Sequence, residues 1–282
     1  MSLPAVGPLP GERRGYVDCA NRQIHFRQQG EGPAVVLLHQ APWASIQFRR
    51  IMPLFAAAGC RAIAPDLPGH GMSDPLEEPT IQGFAAILPP LLGALGVSRA
   101  ALVGHHGGAL VAARMAAEFP DMAAALAMDN APLYTPAQRE KRLAGIDLTQ
   151  QVASDSSHFT DRWARVRSIA DPEWSAETIH IAVLTYFANG PTREHGHDAA
   201  ARYDLDADLD RIACPTLVMS GQADPLFPCG KALIDRRPDW EYSAMQGGSG
   251  VLLEHPDIWF KTVFSFLAAQ AHDNPKLALD LP

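Results

Sequence analysis

The sequence feature that most constrains the fold is a glycine-rich turn at residues 104–108, which reads Gly-His-His-Gly-Gly. The apolar run Ala100–Val103 precedes it, and an alanine-rich segment with apolar positions at helical spacing extends from Gly108 to about Glu118. A strand that turns directly into a helix crowds its own backbone, so glycines are needed beside the turn. This Gly-x-nucleophile-x-Gly frame predicts that His106 is held out above a sheet, in a strained backbone conformation, where a nucleophile would be displayed.

Apolar runs typical of buried strands alternate with helical segments along most of the chain. Besides the run before the turn, they are Ala34–Leu38, Arg61–Ala64, Ala124–Met128, Thr216–Ser220 and Tyr242–Met245. Strands that alternate with helices through short connections predict an α/β fold, with a mostly parallel central sheet and helices on both faces. Between residues 133 and 208 the alternation stops, and the segment is polar and aromatic with helical stretches. It therefore predicts an insertion into one domain.

The composition is typical of a globular protein and argues against some classes of partner. The 282 residues are enough for one large domain, and 47% hydrophobic with 19% charged residues is typical of globular chains. A net charge of −8 without a long run of lysine or arginine argues against a nucleic-acid partner. No apolar run approaches the ~20 residues of a membrane span, and the first residues lack the apolar core of a signal peptide. The four cysteines form no Cys-x-x-Cys pair, so we expect a cytoplasmic protein with no metal and no cofactor.

Four motifs, in this order along the chain, resemble those of the α/β-hydrolase superfamily. They are Leu-Leu-His at residues 37–39, Pro-Asp-Leu-Pro-Gly-His-Gly-Met-Ser-Asp at 65–74, Leu-Val-Gly-His at 102–105 and Gly-Gln-Ala-Asp-Pro at 221–225. The resemblance covers the chain almost from end to end. It implies an α/β-hydrolase core domain formed by residues 1–132 and 209–282, and a helical cap formed by residues 133–208 over the active site.

The resemblance also implies positions for catalytic residues, and this chain departs from the family at two of them. Family members carry serine, cysteine or aspartate at the centre of the turn, where this chain has His106, and a general-base histidine after the last strand, where it has Ser249. Asp224 matches the family's acid, and Asp129 matches the place where some members carry the acid instead. Because the two exchanged side chains hydrogen-bond each other in the parent geometry, we expect His106 to face Ser249. Asp224 would then contact the Ser249 hydroxyl, or reach His106 through water.

The family also binds the oxyanion of its substrate with two backbone amides. Gly107 supplies the first, and the loop after the first central strand supplies the second, which we assign to Ala41. Gln40 stands where the common pattern has glycine, and its side-chain amide can donate to or accept from a substrate oxygen. Trp43 either lines the pocket or packs under the cap.

These residues favour an enzyme that acts on a small, partly apolar organic molecule. The leading hypothesis is hydrolysis of an ester, lactone or similar carbonyl compound, with His106 as general base and acid. The alternatives are a non-hydrolytic proton-transfer enzyme (a lyase, isomerase or cofactor-free oxygenase) and a catalytically inactive binding protein. Haloalkane dehalogenases and epoxide hydrolases need an aspartate at position 106, which argues against both. The sequence does not predict an oligomeric state.

Overall fold

The computed structural model describes residues 7–147 and 152–273. Within these residues one sheet contains the strands β1 (Arg13–Cys19), β2 (Arg22–Gln29), β3 (Ala34–Leu38), β4 (Arg61–Pro65), β5 (Ala100–His105), β6 (Ala123–Asp129), β7 (Thr216–Gly221) and β8 (Glu241–Met245). Their order is β1-β2-β4-β3-β5-β6-β7-β8. β2 is antiparallel to both β1 and β4, and the other neighbouring strands are parallel. The predicted mostly parallel α/β sheet is therefore confirmed.

Helices cover both faces of this sheet. In the described ranges they are α1 (Met52–Ala57), α2 (Ile81–Ala86), α3 (Leu88–Ala94), α4 (Gly107–Glu118), α5 (Pro136–Ala144), α6 (Ser157–Ile169), α7 (Ala176–Ala188), α8 (His195–Arg202), α9 (Phe227–Arg236), α10 (Val251–Glu254) and α11 (Pro256–Asp273). None of them is long and apolar enough to cross a membrane.

The central strand β5 shows how the sheet separates two hydrophobic cores. Successive side chains of a strand point to opposite faces. Leu102 packs in the core beneath α3 and α4, whereas Ala101 and Val103 pack in the core that includes α1 and α11. Since both faces are covered, all of β3 and β5 is buried, which explains the apolar sequences of β3 and of residues 100–103 in β5.

The N-terminal hairpin, β1 and β2, was not predicted from the sequence. Its turn residues Ala20 and Asn21 both have positive φ, at 51° and 64°, as a tight two-residue hairpin requires. Most of β1 is exposed or half-buried, and burial is complete only at Cys19. An exposed edge strand of this kind lacks the apolar run that marks the central strands.

Helices α5 to α8 lie between β6 and β7 along the chain, within the predicted insertion. Glu254, at the end of α10, anchors this helical segment from the core side. Its Oε1 accepts hydrogen bonds from the Ser175 amide at 2.9 Å, the Ser175 hydroxyl at 3.0 Å and the Thr178 hydroxyl at 2.5 Å. The first turn of α7 is thereby attached to the loop region that follows β8.

Candidate active site

His106 lies at the turn between β5 and α4, with φ 49° and ψ −117°. Its backbone is held on both sides, because its amide donates to the carbonyl of Asp129 at 2.8 Å and its carbonyl accepts from the amide of Ala109 at 2.9 Å. A Cβ on Gly104 would overlap the backbone of Gly108, and a Cβ on Gly108 would overlap the carbonyl of Leu38. The predicted turn is therefore present. Glycine is required at both positions because α4 packs too closely on β3 and β5 to leave room for a side chain.

The imidazole of His106 binds Asp224 directly. Its Nε2 lies 2.9 Å from Oδ2 of Asp224, and the other oxygen, Oδ1, accepts from the amide of Leu226 at 2.7 Å. Burial alone raises the pKa of Asp224, but the hydrogen bond and charge of His106, together with the Leu226 amide, outweigh it and hold that pKa below its ordinary value. Asp224 is therefore a carboxylate at neutral pH, and a carboxylate can only accept. Nε2 of His106 must carry the proton of this contact.

This geometry differs from the expected His106–Ser249 pair. Ser249 lies half-buried in the turn after β8, and its hydroxyl makes no hydrogen bond to any residue the structure describes. The direct contact forms because an imidazole extends farther from the backbone than a serine hydroxyl does. From the turn, the ring of His106 reaches Asp224 by itself. Neither water nor Ser249 is needed between them.

The connection between α6 and α7 packs against the loop that carries Ser249. The amide of Gly250 donates to Oδ2 of Asp171 at 2.8 Å. A Cβ on Gly248 would overlap the Asp171 carboxylate, and one on Gly250 would overlap the indole nitrogen of Trp174. Asp171 and Trp174 were not predicted from the sequence. The glycines around Ser249 indicate that another segment packs closely against this loop. They do not show which segment it is.

The backbone amides of Gly107 and Ala41, predicted to bind an oxyanion, both lack an acceptor among the described residues. Gly107 is the first residue of α4, where an N–H has no acceptor within the helix, and no atom lies within 4 Å of where its Cβ would be. In the loop after β3, the amide of Gln40 is already used, since it donates to Oε1 of Gln47 at 3.0 Å. The next amide, that of Ala41, has no acceptor in the described part of the chain, and its role as an oxyanion donor stays a prediction.

Trp43, for which two roles were open, is buried and packs edge-to-face on Trp174 with ring centroids 6.3 Å apart. This contact joins Trp43 to the α6–α7 connection, and both predicted roles stay open. Gln40, by contrast, is buried but its side chain makes no hydrogen bond with a described residue. Its amide group keeps the capacity to bind a ligand.

Asn189, which follows α7, joins two loops of the core. Its Nδ2 donates to the carbonyl of Pro42 at 2.6 Å, and its Oδ1 accepts from the amide of Gly71 at 2.8 Å. Because Pro42 directly follows Ala41, this buried side chain fixes the loop that carries the second amide. Nothing in the sequence pattern indicated this residue.

Asp129, the alternative acid, serves the neighbouring histidine instead. Its Oδ2 accepts from Nδ1 of His105 at 2.7 Å and from Nε1 of Trp259 at 2.8 Å, and its Oδ1 accepts from Nδ2 of Asn130 at 2.9 Å. His105 is fully buried, and burial, reinforced by the nearby His106, lowers its pKa. This pair is a buried structural unit, and among the described residues Asp224 is the carboxylate that binds the imidazole of His106. No group of three or more histidine, cysteine, aspartate or glutamate side chains is placed to hold a metal in residues 7–147 and 152–273.

Comparison with known proteins gives the same fold and a set of hydrolases. Residues 33–235 match the model of a family described as alpha/beta hydrolase fold. An epoxide hydrolase of Caballeronia sordidicola is 32% identical over 174 residues, which are 61% of this chain and 51% of that protein. A 2-hydroxy-6-oxo-6-phenylhexa-2,4-dienoate hydrolase of Burkholderia cepacia is 26% identical over 88% of this chain and 92% of its own length. The first match thus spans about half of the relative, and the second nearly all of it.

Solved structures agree on the fold. A thermophilic esterase from Thermogutta terrifontis superposes with a TM-score of 0.78 at 21% identity, covering 92% of this chain and 99% of the esterase. At that identity the likeness shows the fold alone. Together, the family match and the named relatives support a hydrolase.

Proposed function

We propose that this chain, which belongs to the α/β-hydrolase fold family, hydrolyses a small carbonyl compound such as an ester or lactone at His106. The observation that carries the proposal is the contact between Nε2 of His106 and Asp224. It leaves the second ring nitrogen, Nδ1, with an unshared electron pair and no hydrogen-bond partner among the described residues. His106 is 22% exposed at its side chain, so a substrate can approach it.

The identity of the reacting group favours a carbonyl over an epoxide or a haloalkane, although some relatives are named for those substrates. A nitrogen that opens an epoxide or displaces a halide becomes alkylated, and water does not cleave an N-alkyl bond under mild conditions. An aspartate avoids this because its ester is hydrolysed at its own carbonyl carbon. With His106 as the nucleophile at this position, repeated turnover therefore requires an acyl group.

In this proposal the amides of Gly107 and Ala41 hold the oxygen on which negative charge develops. One such donor contributes about 10²–10³-fold to kcat in other hydrolases. The Gln40 side chain is a third polar group beside them. Asp224 orients the ring and fixes its tautomer, as the acid of a catalytic triad does.

We further propose that residues 133–208, with helices α5 to α8, form a cap that encloses the substrate against residues 1–132 and 209–282. The contacts of Asn189 with Pro42 and of Asp171 with Gly250 support this, because both attach the segment to loops next to His106. All four cysteines carry free thiols, in keeping with our proposal of a cytoplasmic protein.

A panel of esters and lactones, assayed by acid release, tests the proposed function. Turnover is expected, and both His106→Ala and His106→Asn should abolish it; asparagine is included because it tolerates positive φ better than alanine. Activity that survives these changes would remove His106 from the mechanism. If no ester or lactone in the panel is hydrolysed, the proton-transfer or binding alternative replaces hydrolysis.

A further inference from the structure

We propose that Nδ1 of His106 attacks the carbonyl carbon itself and carries the acyl group, and that the substrates are therefore activated acyl compounds: aryl, enol or thiol esters. This rests on the proposed hydrolysis at His106. It defines which atom forms the bond and which leaving groups the site accepts.

The position of Nδ1 in the turn favours direct attack. Nδ1 is bonded to Cγ, as the carboxylate oxygens of an aspartate are, whereas Nε2 is at the far end of the ring and is held by Asp224. The amide of Gly107 belongs to the very next residue, at the start of α4. A carbonyl whose oxygen binds that amide has its carbon beside the side-chain atoms of the turn residue, which is the geometry of direct attack. A water molecule between Nδ1 and that carbon would need a longer separation.

The protonation state of the His106 imidazole also favours attack by Nδ1. Because Asp224 is a carboxylate and accepts the Nε2 proton, the neutral imidazole has its free electron pair on Nδ1. A serine hydroxyl must lose a proton to become a nucleophile, so it needs a base beside it. A neutral imidazole loses none. This explains why the loop after β8 can carry Ser249, with no hydrogen bond to His106, where the family has its base.

The reaction then balances with water as the only co-reactant. Nδ1 forms a bond to the carbonyl carbon, and the oxygen takes the electron pair while bound to the amides of Gly107 and Ala41. The carbonyl re-forms, and the bond to the leaving oxygen or sulfur breaks with its electron pair, which leaves an acyl-imidazolium. Water adds to the acyl carbon and gives its proton to solvent, and the carbon–nitrogen bond breaks and returns its pair to Nδ1. The products are the carboxylic acid and the protonated leaving group.

The leaving group decides the substrate class. No acid among the described side chains contacts the turn to protonate it, because Asp224 is a carboxylate and Ser249 is unpaired. The tetrahedral adduct must therefore expel an anion in competition with imidazole, whose reference pKa is ~6.5. A thiolate or phenolate, with conjugate acids of pKa ~8.5 and ~10, competes. An alkoxide, about as basic as hydroxide from water of pKa 15.7, does not.

The experiment compares a series of esters that share one acyl group, such as 4-nitrophenyl, phenyl, thiophenyl and ethyl esters, in the presence of hydroxylamine. A common acyl-enzyme requires the ratio of hydroxamate to acid to be the same for every ester that reacts. We expect that constancy, with the ethyl ester at least 10²-fold slower than the phenyl ester. In parallel, 4-nitrophenyl N,N-dimethylcarbamate should leave a slowly hydrolysed carbamoyl group on the peptide that contains His106, detected by mass spectrometry.

The outcomes distinguish hydrolysis at His106 from covalent attack by its Nδ1. If hydrolysis requires His106 but the ratio changes with the leaving group and no adduct forms, water is the nucleophile; the proposed function stands and this inference falls. An adduct on Ser249 overturns it as well. If no acyl compound is turned over and none labels the protein, both proposals fall. His255→Ala is the matched control, since His255 is an exposed histidine paired with Glu173, and it should still be labelled at His106.

Discussion

The rings of His105 and His106 lie with centroids 4.4 Å apart, yet each binds a different aspartate. His105 donates Nδ1 to the buried Asp129, and His106 donates Nε2 to Asp224. His105 is the last residue of β5 and is fully buried, whereas the turn leaves the side chain of His106 22% exposed. One pair is therefore enclosed in the core, and the other is accessible to solvent, with Nδ1 of His106 free of hydrogen bonds to the described residues.

Asp224→Asn should lower kcat strongly and change KM little. The amide oxygen can still accept from Nε2, but the carboxylate charge that stabilises a positively charged imidazole is lost, and the amide can instead donate and select the wrong tautomer. We expect a fall of about 10²–10⁴-fold in kcat, measured by steady-state kinetics on the best ester of the panel. Asp235→Asn is the control, because Asp235 is an exposed partner of Lys231. Equal losses in the two variants would contradict a role for Asp224 in orienting His106.

The sequence predicted the turn at His106 and the central strands because these follow from local physical limits. Gly104 and Gly108 are required by overlap of backbone atoms, and a strand buried on both faces must be apolar throughout. The hairpin β1–β2 obeys neither limit and was missed. β1 is largely exposed at the edge of the sheet, and the buried part of β2 includes the polar residues His25 and Arg27, so neither strand has an apolar run.

The partners of His106 could not be predicted in the same way. A match of motifs gives the place of a residue along the chain, but it does not give the reach of a longer side chain. Replacing serine by histidine moved the hydrogen bond from the position of Ser249 to Asp224. Asp171 and Asn189 were missed because their partners lie 79 and 147 residues away along the chain. Only the packing of the helical segment on the core brings them together.

Gly108→Ala should destabilise the protein severely, whereas Gly107→Ala should not. A methyl group on Gly108 overlaps the carbonyl of Leu38 in the central strand β3, which cannot move without disturbing the sheet. At Gly107 the same methyl group meets nothing within 4 Å. We expect a loss of at least about 3 kcal/mol for Gly108→Ala, or roughly 6–12 °C in Tm by calorimetry. Similar Tm values for the two variants would show that helix and strand are not in this close contact.

Asn189→Ala should reduce kcat by about tenfold while the protein stays folded. It removes the hydrogen bonds to Pro42 and Gly71, so the loop that carries the Ala41 amide loses its attachment to the helical segment. A small displacement of an oxyanion donor weakens its hydrogen bond in the transition state more than substrate binding, so kcat should fall more than KM rises. Thr185→Val is the matched control, because among the described residues the Thr185 hydroxyl bonds only the carbonyl of Ile181 in its own helix. An effect on KM alone would place Asn189 in substrate binding and not in positioning of the loop.

Asp66→Asn should remove a stabilising contribution that depends on pH. Burial alone would raise the pKa of Asp66, but the hydrogen bond and charge of His25, with the contact of Ser45, bring that pKa down to about 2. A carboxyl group with a depressed pKa stabilises the folded state fully above its unfolded value of ~3.9, and this contribution is lost as the pH falls toward 2. The difference between the two pKa values corresponds to about 2.6 kcal/mol, of which roughly 2 kcal/mol is lost by pH 2.5. Urea unfolding at pH 7 and pH 2.5 should therefore show the wild-type protein losing about 2 kcal/mol more than Asp66→Asn, with Asp235→Asn behaving as wild type. If the variant and the wild-type protein lose the same free energy of unfolding over this interval, the carboxylate of Asp66 is not what stabilises the loop beside His25.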